Sequence, residues 1–325
     1  MPHHRVRIYE VGGPDVLRYE PTPEPIEHPG VGQVRLRHEA IGLNFVDTLF
    51  RNGSFAMPLP LDMGIEGAGV IEELGPGVSH LAVGDHVAYF FSPGAYSDVR
   101  LIAADALVKL PATISTKIAA AILTKGLTAW MLVKRVHAIK PGDVALVQGA
   151  TGGVGLLVAE WARALGATVI ATASSDQKAR SLRARGFDHV FASDSATFVE
   201  QIRSLTGGEG VDVVYEMVGK TTFASSIKAL RKGGSFVHLG SASGEPEAKD
   251  RAEIERRMIR YSQPVTGHVV NGPAVLTEAS EELFAAYARG DLGEIDPVFF
   301  KLQDIVLAHK AIVDRQLLGP AVILP

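Results

Sequence analysis

The stretch DVALVQGATGGVG, from Asp143 to Gly155, constrains this chain more than any other. A short apolar run leads into a glycine-rich turn, and an amphipathic segment over 156–165 follows. That order predicts strand, tight loop and helix. Such a loop lets backbone N–H groups approach a phosphate, and the start of the helix adds a partial positive charge. Glycines in a turn of this kind also serve close helix–strand packing, so the motif by itself leaves both readings open. The repetition that follows favours a nucleotide. Strand-like runs begin near Val144, Thr168, His189, Val211 and Ser235, separated by helix-like segments 154–165, 177–185, 198–205 and 222–230. This alternation predicts βαβ units and a parallel sheet. The first turn of such a sheet is where a dinucleotide pyrophosphate sits.

The chain has 325 residues, 46% of them hydrophobic, enough for the cores of two domains. A net charge of −4 offers no footprint for nucleic acid or an anionic membrane. Cysteine is absent, which excludes disulfides, thiolate nucleophiles and cysteine-ligated metal. No uninterrupted apolar run has membrane-spanning length and Met1-Pro2-His3-His4-Arg5 is no signal peptide, so a cytoplasmic protein is expected.

The first third is β-rich. Residues 34–40 alternate apolar and polar as a half-buried strand does, and 64–74 and 83–91 predict further strands. Residues 115–137 predict a helix interrupted near Lys125-Gly126. Beyond Leu239 the alternation fades into helices over 253–261, 277–289 and 303–315 and a closing strand at 321–324. This C-terminal piece is short for an independent domain. It is expected to pack against the N-terminal β region, with the nucleotide domain inserted between them.

An acidic residue about 20 positions beyond the glycines would bind a ribose 2′-hydroxyl and favour NADH. Ser174 occupies about that place and is neutral. Lys178 would reach a 2′-phosphate, or serve as an ordinary exposed helix lysine. The neutral strand end and the lysine favour NADPH over NADH. Asp176, a helix-capping carboxylate, argues the other way.

Taken together, several motifs make the chain resemble the zinc-free NADPH:quinone oxidoreductases, the zeta-crystallin-like branch of the medium-chain dehydrogenase/reductase superfamily. They are Gly42-Leu43-Asn44-Phe45-Val46-Asp47, Gly84-Asp85-His86-Val87-Ala88-Tyr89, Lys125-Gly126-Leu127-Thr128-Ala129, the turn 149–155, Gly240-Ser241-Ala242-Ser243-Gly244, Ala308-His309-Lys310 and Arg315. The resemblance runs essentially end to end. It implies an α/β fold, a doubly wound parallel Rossmann sheet inserted into a GroES-like β-rich catalytic domain. The corresponding divisions are 1–122 for the first part of the catalytic domain, 123–263 for the Rossmann domain and 264–325 for the completing part. It also implies a homodimer that reduces quinones or activated enones. By position, Asn44, Phe45 and Asp47 would line the cleft near the nicotinamide. Thr128, Gly152, Gly153, Val154 and Gly155 would hold the pyrophosphate region, and Ser174, Lys178, Ser193 and Arg315 the adenosine 2′-phosphate. Met217, Gly240, Ser241 and Val265 would lie toward the nicotinamide ribose and amide. Ser193 stands where the family often has tyrosine, Ile65 where threonine is common and Ser241 where asparagine is common.

Zinc-dependent relatives place a cysteine before the region of Asn44 and Gly-His-Glu after it. Here the second motif is Gly64-Ile65-Glu66, and no metal is expected. Without metal, reduction relies on the cofactor and on positioning. Quinones and enones accept hydride without Lewis-acid help, whereas simple ketones need a metal or a Tyr–Lys pair. Asn44 is the first candidate donor to the developing anion and Lys125 the second, unless Lys125 only pairs near the helix interruption. Asp47 reads as structural or ribose-binding, and water as the final proton source. Phe45, Leu49, Phe55, Met57 and Leu61 would wall a flat acceptor or simply pack the β domain. The competing readings are a zinc-independent alcohol dehydrogenase, and a non-catalytic NADPH-binding, crystallin-like or RNA-associated protein.

Overall fold

The computed structural model describes residues 3–23, 26–192, 195 and 197–325. Two compact units divide the chain. The first comprises Met1–Thr124, Asn271–Phe284 and Ile295–Pro325, and the second Lys125–Val270 and Ala285–Glu294. The divisions fall at 124 and 270 rather than 122 and 263, and Ala285–Glu294 lies with the nucleotide unit. Its attachment is local. Arg185 Nη1 donates to the Glu294 carbonyl at 3.0 Å, and a Cβ on Gly293 would meet Glu160 Oε1 at 2.8 Å.

The second unit is built on a six-stranded sheet in the order His189–Ala192, Thr168–Ala173, Val144–Val147, Val211–Glu216, Leu230–His238, Arg260–Ser262. Every pairing is parallel. This is the doubly wound order in which the chain reverses beside the first strand. Val144–Val147 pairs on both edges, and helices cover such a strand on both faces, so it reads as an unbroken apolar run. The following helix, Gly153–Ala164, buries Leu157, Val158, Trp161 and Ala162 at helical spacing. It ends at Gly166, whose φ of +92° suits the left-handed position after a helix. Leu146, Ile170, Val214, Phe223 and Phe236 belong to the core of this unit.

Two expected helices come out differently. The segment 253–261 is the end of helix Ala248–Arg256 followed by strand Arg260–Ser262. Met258, at φ +50°, leaves the helical path, and the Tyr261 ring stacks on Phe236 at 6.1 Å. The helix over 115–137 runs as Thr116–Trp130 without a break at Lys125-Gly126 and then widens into a π-helix over Met131–Val136. The buried Tyr215 hydroxyl lies 3.3 Å from the carbonyls of both Leu132 and His137 and shares its one proton between them, while the Leu132 carbonyl also accepts His137 N–H at 3.1 Å. By length and composition Thr116–Val136 is apolar enough to cross a bilayer, which inspection for apolar runs does not reveal. Since 83% of its most apolar window is buried, it reads as a core helix.

In the first unit, the main sheet runs Val298–Lys301, Ala321–Leu324, Gln33–Gly42, Glu66–Leu74, His86–Tyr89, Val108–Lys109, with Val99–Ala103 also pairing to Gln33–Gly42. Pairing of Val322 with Gly42 and Ile323 with Ile41 fixes the C-terminal strand in this sheet. A second sheet joins Arg18–Pro21, His4–Ile8 and Leu61–Asp62. The alternation predicted over 34–40 is real: Val34, Leu36, His38 and Ala40 all point inward. His38 is satisfied there. Its Nδ1 pairs with the Ser97 carbonyl, an acceptor only, so Nε2 accepts from the Tyr89 hydroxyl, both at 2.7 Å. Opposite this strand, Gly69 has no room for a side chain, because a Cβ would stand 2.0 Å from the Arg37 carbonyl oxygen. Gly69→Ala is expected to lower the free energy of unfolding by about 1–3 kcal/mol through overpacking against backbone, as read by chemical denaturation.

Candidate active site

The glycine turn is tight because its two ends touch. A Cβ on Gly155 would lie 2.4 Å from the Gly149 carbonyl oxygen, and Gly149 itself has φ +71°. Gly152 N–H donates to the Gly149 carbonyl at 3.0 Å, and Gly152 and Gly153 are exposed at the start of the twelve-residue helix. Glycines inside a first helical turn cost about 1 kcal/mol each relative to alanine, a cost accepted here for close approach. The stem of Lys125 lies against this turn, with Cδ 3.0 Å and Cε 3.3 Å from where a Cβ on Gly153 would stand. Next to it on the same helix, Thr128 Oγ1 lies 3.0 Å from Thr266 Oγ1, which brings the start of helix Thr266–Val269 and its N-cap, Val265, to the same place.

Beyond the second strand, Ser174 is exposed and Lys178 half-buried in the first turn of helix Asp176–Ala184. The N-cap is Ser175, whose Oγ accepts from Lys178 N–H, and not Asp176, which is the first helical residue. Ser193 lies outside the described residues. Just past the ends of the fourth and fifth strands, Met217, Gly240 and Ser241 come together: a Cβ on Gly240 would meet only Met217, at 3.5 Å. Ser241 Oγ lies 3.0 Å from Nε2 of the buried His238, whose Nδ1 lies 2.8 Å from the Tyr261 hydroxyl.

In the first unit, Asn44 and Asp47 form a capping box at the start of helix Phe45–Arg51, and Asp47 Oδ2 accepts Asn44 N–H at 2.9 Å. Asn44 Nδ2 donates to Glu66 Oε2 at 2.7 Å and lies 3.5 Å from the Gly42 carbonyl. Glu66 is fully buried and also accepts Thr124 N–H, at 2.6 Å. The lack of a side chain on Gly42 makes this approach possible, since a Cβ there would sit 2.2 Å from Glu66 Oε2. Behind Asp47 stands a directed relay. Arg51 Nη1 can only donate, so His309 Nδ1 accepts it, at 2.9 Å. The proton of His309 is then on Nε2, facing the Tyr96 hydroxyl at 3.1 Å, and Tyr96 donates to Asp47 Oδ2 at 2.8 Å. Phe45 is half exposed. A narrow hollow is lined by Phe50, Met57, Leu61, Met63, Ile65 and Pro93. Of the expected wall, Met57 and Leu61 line it, whereas Phe55 packs edge-on against Phe50. Arg315, exposed at φ +56°, follows helix Ile305–Val313. Among the described residues no three His, Cys, Asp or Glu side chains group as metal ligands.

Residues 30–112 match the alcohol dehydrogenase GroES-like domain, and residues 153–285 match the domain described as zinc-binding dehydrogenase. A 2-haloacrylate reductase from a Burkholderia species is 39% identical, with 98% of each chain covered. A quinone oxidoreductase from Pseudomonas aeruginosa is 37% identical over 99% of each. The crystal structure of Escherichia coli quinone oxidoreductase complexed with NADPH superposes with a TM-score of 0.93 at 35% identity, covering 99% of this chain and all of the other. This chain belongs to the zinc-free quinone oxidoreductases of the medium-chain dehydrogenase/reductase superfamily.

As a member of that family the protein is an oxidoreductase, and its two units are the family's GroES-like and Rossmann folds. Several structurally prominent residues are given no role by the sequence: Glu66 and Arg51 in the first unit, and Gln148, Thr172 and Glu216 in the second. Glu66, Gln148, Thr172 and Glu216 are polar residues at or beside apolar strand segments. That is a usable signal, since a buried polar group needs partners.

Burial pushes the imidazoles of His38 and His309 down to about 3, aided by the neighbouring guanidinium of Arg100 and Arg51 respectively. In the unfolded chain they titrate near 6.5. Between these values the unfolded state binds more protons, so the stability contributed by neutral burial is complete above about pH 6.5 and falls as pH drops. Each histidine is expected to cost up to about 1.4 kcal/mol per pH unit between about pH 5.5 and pH 4. Urea titrations across that range check the slope, and His309→Gln should make it shallower.

Proposed function

We propose that this protein is an NADPH-dependent reductase of quinones that works without a metal. The observation that carries the reading is the turn in which Gly155 approaches the Gly149 carbonyl so closely that no other residue fits. It exposes the backbone of Gly152 and Gly153 at a helix start, the arrangement suited to a pyrophosphate. The same identification in the Escherichia coli relative, whose structure holds NADPH, supports the choice of cofactor. Gly152, Gly153, Val154 and Gly155 would hold the pyrophosphate, with Lys125 beside them as the neutralising cation. Ser174 and Lys178 would take the 2′-phosphate. Thr128 would lie at the pyrophosphate region, and Met217, Gly240, Ser241 and Val265 along the nicotinamide half. When bound, NADPH supplies a hydride to an electron-poor carbon or oxygen.

The first unit handles the acceptor. The acceptor ring would lie against the exposed Phe45, since the hollow beside Met57, Met63 and Ile65 holds about 10 Å³, room for one water and not for a ring. We assign to Asn44 the hydrogen bond to the oxygen that gains charge. Glu66 fixes which end of the amide is nitrogen, so the donor is set before reaction. The long contact from Asn44 Nδ2 to the Gly42 carbonyl is the one exchanged for the acceptor's oxygen. Phe45 packs on the ring, and Asp47 holds the helix start through the relay to Arg51. Water returns the final proton. The acting species is a homodimer, which light scattering reads as twice the mass of one chain.

A second reading, reduction of α,β-unsaturated carbonyls, is favoured by the full-length identity to a 2-haloacrylate reductase. Steady-state oxidation of NADPH and NADH with 1,4-naphthoquinone, 2-alkenals, ketones and no acceptor separates the two. Quinone turnover should exceed that of the others, and tight NADPH binding with no turnover on any acceptor would sink both. Lys178→Ala is expected to raise KM for NADPH about tenfold while leaving that for NADH nearly unchanged. An equal rise for both would remove Lys178 from the phosphate site.

A further inference from the structure

Gln148, Thr172, Ser226 and Glu216 are four polar side chains of the nucleotide unit without exposed surface. They form one line of hydrogen bonds from the glycine turn to a carboxylate, and its direction follows from its first link. Gly149 N–H can only donate, and it meets Thr172 Oγ1 at 3.1 Å. The Thr172 hydroxyl therefore passes its own proton to Gln148 Oε1, at 2.7 Å. Gln148 thus turns Nε2 toward Ser226 Oγ at 2.9 Å, and Ser226 donates to Glu216 Oε2 at 2.7 Å. The other oxygen, Glu216 Oε1, accepts Val218 N–H at 2.8 Å, Gly219 N–H at 3.0 Å and the Thr222 hydroxyl at 2.8 Å. Both oxygens accept, the arrangement that an ionised carboxylate needs. Burial pushes Glu216 above the ordinary carboxylate range, and its donors pull the other way.

The backbone on the Oε1 side is itself tied to the next loop. Ser243 N–H donates to the Val218 carbonyl at 2.7 Å, Lys220 N–H to the Gly244 carbonyl at 2.9 Å, and a Cβ on Gly219 would stand 2.5 Å from that same oxygen. One buried charge thus anchors the loop 217–220, and through it 240–244, while its hydrogen-bonded line reaches the turn 149–155.

We propose that Glu216 is a positioning residue for the dinucleotide, holding the pyrophosphate turn and the loops of Met217 and Ser241 in a common register through Ser226, Gln148 and Thr172 without touching the ligand. The proposal rests on the cofactor reading given above. It explains why a carboxylate is retained in an apolar sheet, where an amide would not serve. An amide at 216 brings a donor where two sets of donors already point, so the line must reverse, which turns Gln148 Nε2 toward Thr172 and takes away the acceptor of the Thr172 hydroxyl proton.

The test is NADPH binding to the purified full-length protein, followed by cofactor fluorescence, alongside melting of the apo form and steady-state kinetics. Glu216→Gln is expected to weaken NADPH binding about tenfold and to raise KM for NADPH by a similar factor, with kcat changed by less than about threefold. Thr172→Val, at the far end of the line, should weaken binding as well. The double variant should lose less than the product of the two single losses, because both cut one connection. Should Glu216→Gln fail to fold, Ser226→Ala cuts the line at its middle, keeps the carboxylate and carries the same expectation against Thr172→Val. Losses that multiply, or variants that melt earlier yet bind NADPH as tightly as the wild type, would overturn the proposal alone. A wild-type protein that takes up no NADPH would overturn the cofactor reading and this inference with it.

Discussion

The contact between Gly155 and the Gly149 carbonyl is the constraint on which the nucleotide unit depends. It forces the chain from the central strand into the helix within a few residues and leaves the intervening backbone bare. The strand before it must be central, paired on both edges, for the turn to emerge where the sheet's winding reverses. The helix after it must begin with poor helix formers, and its stability then comes from Leu157, Val158 and Trp161 against the sheet. Local helix propensity is given up at one end because packing recovers it at the other.

The first unit solves a different problem, that of placing charged groups inside a β structure. Asp47 and Glu66 are both buried, one on each side of Asn44. Each is satisfied by donors from separate elements: a helix start and a tyrosine for Asp47, and an amide and a helix N–H for Glu66. The side chain of Asn44 is thereby held from several directions. Preorganisation of this kind is what a reaction without a metal ion has to rely on.

Much of this was legible in the sequence, and for identifiable reasons. The five main strands of the nucleotide unit show as apolar runs because strands covered on both faces tolerate little else. The strand Gln33–Gly42 shows as alternation because one of its faces looks inward. The sixth strand, Arg260–Ser262, was hidden because it is short, polar and at an edge, and the helix of charged residues before it masked its start. The π-helix over Met131–Val136 has no periodic signature that distinguishes it from an ordinary helix end. The site residues that the sequence offered are those carried by motifs, whereas residues joined only by tertiary contact leave no local mark. Glu216 stands at the end of VDVVYE, and nothing in that string says that a serine ten positions later and a glutamine on a neighbouring strand will meet it.

The one-way order of the line from Gly149 to Glu216 also bears on descent. Each side chain before Glu216 accepts from the last and donates to the next, and Glu216 accepts at the end, so none can be exchanged for a residue of opposite habit while the others stand. Gln148, Thr172, Ser226 and Glu216 should accordingly pass between relatives as a set: lineages that have lost the acid are expected to have rewritten its neighbours too.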